Sequence, residues 1–186
     1  TLMARTNPAD KGAGGVSAFI VEAGTPGLSI GQVDKKMGQR GAHTADVIFD
    51  NCRVPASQLI GLREGQGFKT AMKVLEKGRI HIAAICVGVA ERMLRDALNY
   101  AVERKQFGQP IAEFQLVQAM LADSQTELYA GWAMVQDCAQ RYDAKGAPSV
   151  SDPHVSMLAS CCKLFCTEMV GRVADRGVQV HGGSGY

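Results

Sequence analysis

From Gly67 onward the apolar residues fall into a rhythm that only long helices accommodate. Leu75, Ile82, Cys86, Val89, Met93, Ala97 and Tyr100 recur at steps of three, four or seven, which places them on one face of a helix expected to run to about Phe107. Lys73, Lys77, Arg92, Arg95, Asn99 and Glu103 fall mostly elsewhere on it. A second stripe, Val117, Leu121, Leu128, Trp132, Val135, Ala139 and Tyr142, is set off by Gly108-Gln109-Pro110 before it and Gly146-Ala147-Pro148 after it. The third has the clearest start. Asp152 is a suitable N-cap and Pro153 suits the first helical position, after which Val155, Leu158, Cys162, Phe165, Met169, Val173 and Val180 continue the apolar face. Helices of roughly 40 Å to 60 Å follow at 1.5 Å per residue, with short connections that make successive ones antiparallel neighbours. A bundle of three such helices leaves a groove for a fourth helix or a partner subunit, so an oligomer or further chain is expected.

Before that rhythm begins, the chain reads as short strands. Residues 15–22 (GVSAFIVE) and 46–54 (DVIFDNCRV) are rich in β-branched and aromatic residues, and Thr25-Pro26-Gly27 and residues 38–41 supply turns between them. Pro55, with no N–H to give, ends the last run. Two or three short strands are marginal alone, so this region should complete a sheet built from other chain. The expected class is α+β: part of an antiparallel β domain over residues 1–60, then an incomplete helical bundle over residues 61–186. With Thr1 at the start and Gly185-Tyr186 closing a glycine-rich turn, the sequence reads as a piece of something longer.

Composition removes several classes of function. The 186 residues are 46% hydrophobic and 20% charged, the range of a folded globular chain with core enough to hold a ligand. Twenty basic and eighteen acidic residues are dispersed without a basic stripe, so nucleic acid is not an expected partner. The longest apolar stretch, residues 80–90, is too short for a membrane span and contains His81. Six cysteines occur, with Cys161, Cys162 and Cys166 on one helix where adjacent residues point too far apart for an ordinary disulfide. They read as small core residues in a reduced compartment, and the C-x-x-C spacing of a metal site is missing.

Three segments bear on chemistry. Residues 61–70 (GLREGQGFKT) have the glycines of a phosphate-binding loop, but Phe68 stands where that motif needs its lysine, and a glycine-rich hinge into the helix is the better reading. Residues 103–110 (ERKQFGQP) are expected to end the first long helix. There Arg104 has the fork to clamp a pyrophosphate and Phe107 the plane to pack on a flat ring, while an arginine near a helix C-terminus also simply complements the dipole. Residues 179–186 (QVHGGSGY) place glycines after a helix, either as a common C-cap or as a nest of N–H groups able to hold a phosphate; His181 alone reads as a capping or core histidine.

Taken in order, these pieces resemble one family. Residues 37–41 (MGQRG), 47–49 (VIF) and 53–55 (RVP), Gly65 and Gly67-Phe68, residues 76–79 (EKGR) and 103–108 (ERKQFG), Phe114-Gln115 and residues 179–186 are similar to segments of the acyl-CoA dehydrogenases over essentially the whole chain. The resemblance implies a flavoprotein in which FAD accepts a hydride from the β-carbon of an acyl-CoA thioester while a carboxylate removes the α-proton. It also implies a middle β domain followed by a C-terminal helical bundle, a tetramer, and an electron-transfer flavoprotein as acceptor. By the same resemblance, Arg104, Phe107, Gln115, Gln179, Val180, His181, Gly182 and Gly183 contact FAD, much of it bound by a neighbouring subunit. Glu76, Lys77, Gly78 and Arg79 match the acyl-CoA-contacting segment.

Within that segment Glu76 and Arg79 are three apart, where an ion pair would fix the pocket wall or merely decorate a solvated face. One branch of the family carries its catalytic glutamate at the position of Gly78, which cannot accept a proton, and most members carry it in a segment later than Tyr186. Glu76 would face about 200° away from Gly78, so no catalytic base is expected within the chain. An acyl-CoA oxidase or nitroalkane-oxidase-like enzyme, and a non-catalytic helical interaction module, are the alternatives. The expected compartment is a bacterial cytoplasm, or the mitochondrial matrix in a eukaryote.

Overall fold

In the computed structural model, which describes residues 1–144 and 153–186, the stretch before the long helices is cut into short antiparallel pairs. β1 (Leu2–Arg5) pairs with β2 (Val16–Phe19) in the register Leu2 to Phe19 and Arg5 to Val16. β3 (Leu28–Ile30) pairs with β4 (Val47–Phe49), Leu28 opposite Phe49 and Ile30 opposite Val47. The expected strands are present as β2 and β4. β1 and β3 escape a propensity reading because LMAR has no β-branched residue and LSI only one; pairing decides them. Gly27, at φ +86°, turns the chain into β3, and a Cβ there would lie 2.3 Å from the Asp50 carbonyl oxygen.

These strands belong to a compact unit, Thr1–Met72, and the long helices, from Lys73 of the first onward, to a second, Lys73–Tyr186. The glycines of the 61–70 segment serve the first unit's backbone. Gly65 N–H donates to the buried Ser17 hydroxyl at 2.9 Å, and a Cβ on Gly67 would sit 2.4 Å from the Ser17 carbonyl carbon. The segment leads directly into the first long helix, which begins at Gly67.

The helices are α1 (Gly67–Glu103), α2 (Gln115–Ala144) and α3 (Pro153–His181), of 37, 30 and 29 residues, hence about 56, 45 and 44 Å long. Between α1 and α2 the chain makes a two-stranded hairpin, β5 (Lys105–Gln106) and β6 (Gln109–Pro110), and a single 3-10 turn, Ile111–Glu113. In the second unit the core gathers Ile80, Ala83, Val87, Ala90 and Leu94 from α1, Leu128, Val135 and Cys138 from α2, and Ala159, Cys162, Cys166, Met169 and Val173 from α3.

For α3 the observed face is nearly the expected one. For α1 it is so only in part: Ala97 is buried and Cys86, Met93 and Tyr100 pack half-buried against the core as expected, whereas Leu75, Ile82 and Val89 are 58%, 45% and 46% exposed and Ile80, Ala83, Val87, Ala90, Leu94 and Ala101 are buried instead. Close helix approach favours small residues such as Ala83 and Ala90, which lie one position beyond the exposed Ile82 and Val89. On α2, Leu128 and Val135 are turned inward as expected, whereas Trp132 of the same stripe is half exposed at 49%. α1 also stops at Glu103, short of Phe107, because the chain reverses in the hairpin, where Phe107 and Gly108 have φ of +53° and +83°. Asp152 and residues 146–148 lie outside the described residues. Cys138, Cys162 and Cys166 are buried as expected, Cys52 and Cys86 half-buried, and Cys161 exposed. No helix among the described residues is long and apolar enough to cross a membrane.

Candidate functional site

Antiparallel succession puts the C-terminal ends of α1 and α3 at the same end of the bundle as the start of α2. That end has its own small core: Ala97, Ala101 and Val180, packed by Tyr100, Ile111, Ala112, Val117, Met120 and Leu121. On it sit two of the predicted features.

The first is the hairpin. Arg104 is held by its backbone, its N–H donating to the Tyr100 carbonyl at 2.8 Å and its own carbonyl accepting from Ile111 N–H at 2.8 Å. Its side chain is exposed and makes no ion pair with a described residue. Phe107, at the turn, is 94% exposed, and its ring meets that of Phe114 edge-on at 6.2 Å and 86°. A phenylalanine at positive φ held almost wholly in solvent is a costly arrangement that packing in this unit does not explain. Gln115, the first residue of α2, is exposed beside Phe114.

The second is the end of α3. Gln179 is exposed, Val180 is buried in the small core and contributes only backbone to any site, and His181 is half-buried. His181 Nδ1–H donates to the Gly177 carbonyl at 2.8 Å, which leaves Nε2 of the neutral ring as an acceptor. Its ring stacks on Tyr100 with centroids 4.5 Å apart and planes at 30°. Gly182, at φ +58°, ends the helix, and Gly182–Ser184 form a 3-10 turn. A Cβ on Gly182 or Gly183 would meet nothing within 4 Å, so their outer faces are open. Beside this turn lies a pocket of about 320 Å³ lined by His181, Ser184, Gly185 and Gly177 of α3 and its turn and by Met93 and Asp96 of α1.

The sequence places the 103–110 segment at a helix end and, by resemblance, groups it with the glycine run as FAD contacts, but it gives no sign of the role of Tyr100, which reads as one more core residue. The up-down-up order of the helices was the available signal, since it brings Tyr100, near the end of α1, level with His181, the end of α3.

The 76–79 segment is a different place, near the start of the second unit. Glu76 is buried, 7% exposed, and lies near Tyr142, whose phenol is held above its ordinary pKa by burial, by the charge of Glu76 and by that of Asp143. Arg79 is half-buried, Lys77 exposed, and Glu76 and Arg79 form no ion pair, contrary to the expectation from their spacing. A Cβ on Gly78 would meet no atom within 4 Å. The carboxylate of Glu76 therefore turns into the bundle while Gly78 faces open space.

The family model described as acyl-CoA dehydrogenase, C-terminal domain, matches residues 65–186, and the one described as acyl-CoA dehydrogenase, middle domain, matches residues 1–52. The chain is 44% identical over 185 residues to the acryloyl-CoA reductase (NADH) of Anaerotignum propionicum, covering 100% of this chain and 45% of that protein. It is 42% identical to the mitochondrial isobutyryl-CoA dehydrogenase of Dictyostelium discoideum, again over 100% of this chain and 42% of that protein. Among solved structures, a chain from the work described as "Electron transferring flavoprotein of Acidaminococcus fermentans: Towards a mechanism of flavin-based electron bifurcation" superposes with a TM-score of 0.91 at 39% identity, covering 100% of this chain and 46% of that one. The chain thus spans less than half the length of the relatives it matches.

Proposed function

This chain belongs to the acyl-CoA dehydrogenase family, and on that premise we propose that it forms part of an FAD-dependent enzyme that introduces an α,β double bond into an acyl-CoA thioester. The observation that carries the reading is the convergence of an exposed guanidinium, Arg104, which makes no ion pair with a described residue, and an open glycine turn, Gly182 and Gly183, at one end of the bundle, with the solvent-exposed Phe107 between α1 and α2.

The donor set fits FAD. Arg104 offers paired N–H groups to a pyrophosphate, the glycine turn offers backbone N–H groups, Gln115 and Gln179 offer amide hydrogen bonds, and Phe107 offers an aromatic plane. The high exposure of these groups within one chain agrees with a flavin shared with a neighbouring subunit in a tetramer. When bound, FAD supplies the acceptor for the β-hydride.

The 76–79 segment would contact the acyl-CoA, with Arg79 and Lys77 as cations and Gly78 leaving room for the acyl portion. An α-proton of a thioester leaves at neutral pH only toward a positioned carboxylate with hydrogen bonds to the developing enolate. Glu76 is turned inward, so we assign that proton transfer to none of this chain's residues. An electron-transfer flavoprotein as electron acceptor, and a bacterial cytoplasm or mitochondrial matrix as the compartment, complete the proposal.

Arg104→Ala in the full-length protein tests it. Loss of a charge-assisted contact is expected to weaken FAD binding by about tenfold or more, read from the flavin absorbance retained through gel filtration. Unchanged flavin occupancy would overturn the assignment.

A further inference from the structure

We propose that Tyr100 is a positioning residue for the flavin, coupling the hairpin that carries Arg104 to the glycine turn that follows His181. The inference rests on the reading that these two features contact FAD, and adds to it the residue that holds them in register. Tyr100 reaches both. Through its backbone it accepts the Arg104 N–H at 2.8 Å, the last helical bond before the chain departs into β5. Through its ring it stacks on His181 at 4.5 Å and 30°. His181 in turn is tied by Nδ1–H to the Gly177 carbonyl at 2.8 Å, one turn back on α3. The imidazole is thus fixed on both its edge and its face, immediately before Gly182, whose φ of +58° starts the turn.

The physical case is one of preorganisation. A glycine turn with open outer faces has backbone freedom to lose when it takes up a phosphate, and an exposed guanidinium has rotamers to lose. A rigid aromatic pair at their common base lowers both costs before the ligand arrives, and small displacements at such a base are felt at the ligand. The small core beneath, Ala97, Ala101 and Val180, is packed by Ile111, Val117, Met120 and Leu121, and of the residues around it Tyr100 alone supplies an aromatic ring. The phenolic oxygen makes no hydrogen bond among the described residues, so the ring rather than the hydroxyl carries the role.

The test uses the full-length apoprotein titrated with FAD, with visible circular dichroism of the bound flavin as a second readout. Tyr100→Phe keeps the ring and is expected to bind within twofold of the unsubstituted protein. Tyr100→Leu keeps most of the volume and is expected to weaken binding about three- to tenfold, the worth of a stacked aromatic pair, and to change the dichroism of the saturated protein. His181→Leu should do the same, and the double substitution should be no worse than either alone. Arg104→Ala serves as the reference. If Arg104→Ala weakens binding while Tyr100→Leu matches Tyr100→Phe, the positioning role is wrong and the site reading stands. If Arg104→Ala leaves FAD affinity unchanged, both fall. Should Tyr100→Leu fail to fold, His181→Leu decides in its place, since FAD affinity within twofold of Tyr100→Phe and an unchanged dichroism would equally overturn the proposal.

Discussion

Glu127 on α2 accepts hydrogen bonds from two arginines of α3: Arg172 Nε lies 3.1 Å from each carboxylate oxygen, and Arg176 Nη2 lies 3.3 Å from Oε1. Burial alone would push this carboxyl up, but the hydrogen bonds from Arg176 and Arg172, with their charges, outweigh it and hold the group below its ordinary pKa. A carboxyl depressed in the folded state contributes stability that is complete above the ordinary carboxylate range and disappears as pH falls through the lowered value. Arg176 Nη1 is already buried without a hydrogen-bond partner among the described residues, so removing the carboxylate charge leaves a guanidinium poorly compensated. Glu127→Gln is expected to cost about 1–2 kcal/mol in urea denaturation at neutral pH. The gap between variant and parent should close once both are measured below the ordinary carboxylate range.

Gly131 marks the closest approach of α2 to its neighbours. A Cβ there would stand 3.2 Å from Met169 Cε, 3.4 Å from Cys166 Sγ and 3.4 Å from Val87 Cγ2, drawing on α3 and α1 at once. Alanine gains helix propensity and needs small shifts of a flexible methionine, so Gly131→Ala should be near neutral. Gly131→Val adds two methyl groups where there is no space and should destabilise by about 1–3 kcal/mol. Thermal unfolding of the two variants side by side checks this, and equal behaviour would contradict the packing described.

The same small residues explain what could be read in the sequence. α3 was legible because its buried face carries Val155, Cys162, Met169 and Val173, large enough to stand out against polar neighbours, and because Pro153 marks its start. On α1 the buried face interleaves Ile80, Val87 and Leu94 with Ala83, Ala90, Ala97 and Ala101, and alanine is as common on helix surfaces as inside; the equally bulky Leu75, Ile82 and Val89 pointed partly to the wrong side. The site divides the same way. Gly182 as a helix stop follows from its chemistry, whereas the positive φ of Phe107, a residue that disfavours it, has no local signature and turned an expected helix end into a hairpin. The Glu76–Arg79 pair did not form: Glu76 is buried, with its charge acting on Tyr142 of α2, while Arg79 is half-buried, a difference that the three-residue spacing within α1 does not carry.

The buried thiols should be silent toward reagents and costly at high pH. Burial first, then the neighbouring Cys162 and Asp137, raises Cys138 from 9.0 to about 11. Burial, with Cys166 and Cys161, raises Cys162 from 9.0 to about 12. A thiol raised in the folded state stabilises fully below its unfolded pKa, and that contribution is lost as pH rises from the ordinary thiol value through the folded one. Alkaline loss of stability is therefore expected to begin near pH 9 and continue through about 11 to 12. At mildly alkaline pH an aromatic disulfide reagent should label the exposed Cys161 first, and Cys138, Cys162 and Cys166 only on unfolding. Rapid native labelling of Cys138 would count against the core as drawn.

Arg79 offers the cleanest separation of fold from substrate recognition. It is half-buried, and its guanidinium pairs with no described carboxylate, so replacing it removes no ion pair from the unit. Truncation of a long cation in such a place costs the fold packing along its stem and little more. If the segment contacts the acyl-CoA, the loss appears in turnover. Arg79→Ala in the full-length protein should lower kcat/KM for an acyl-CoA by about tenfold or more while flavin content and unfolding temperature stay near those of the parent. A rise in KM with kcat retained would mean that Arg79 grips the CoA portion uniformly, whereas an equal fall in kcat and kcat/KM would place it on the reacting thioester. Parallel loss of flavin and activity would instead show a structural role and remove Arg79 from the substrate site.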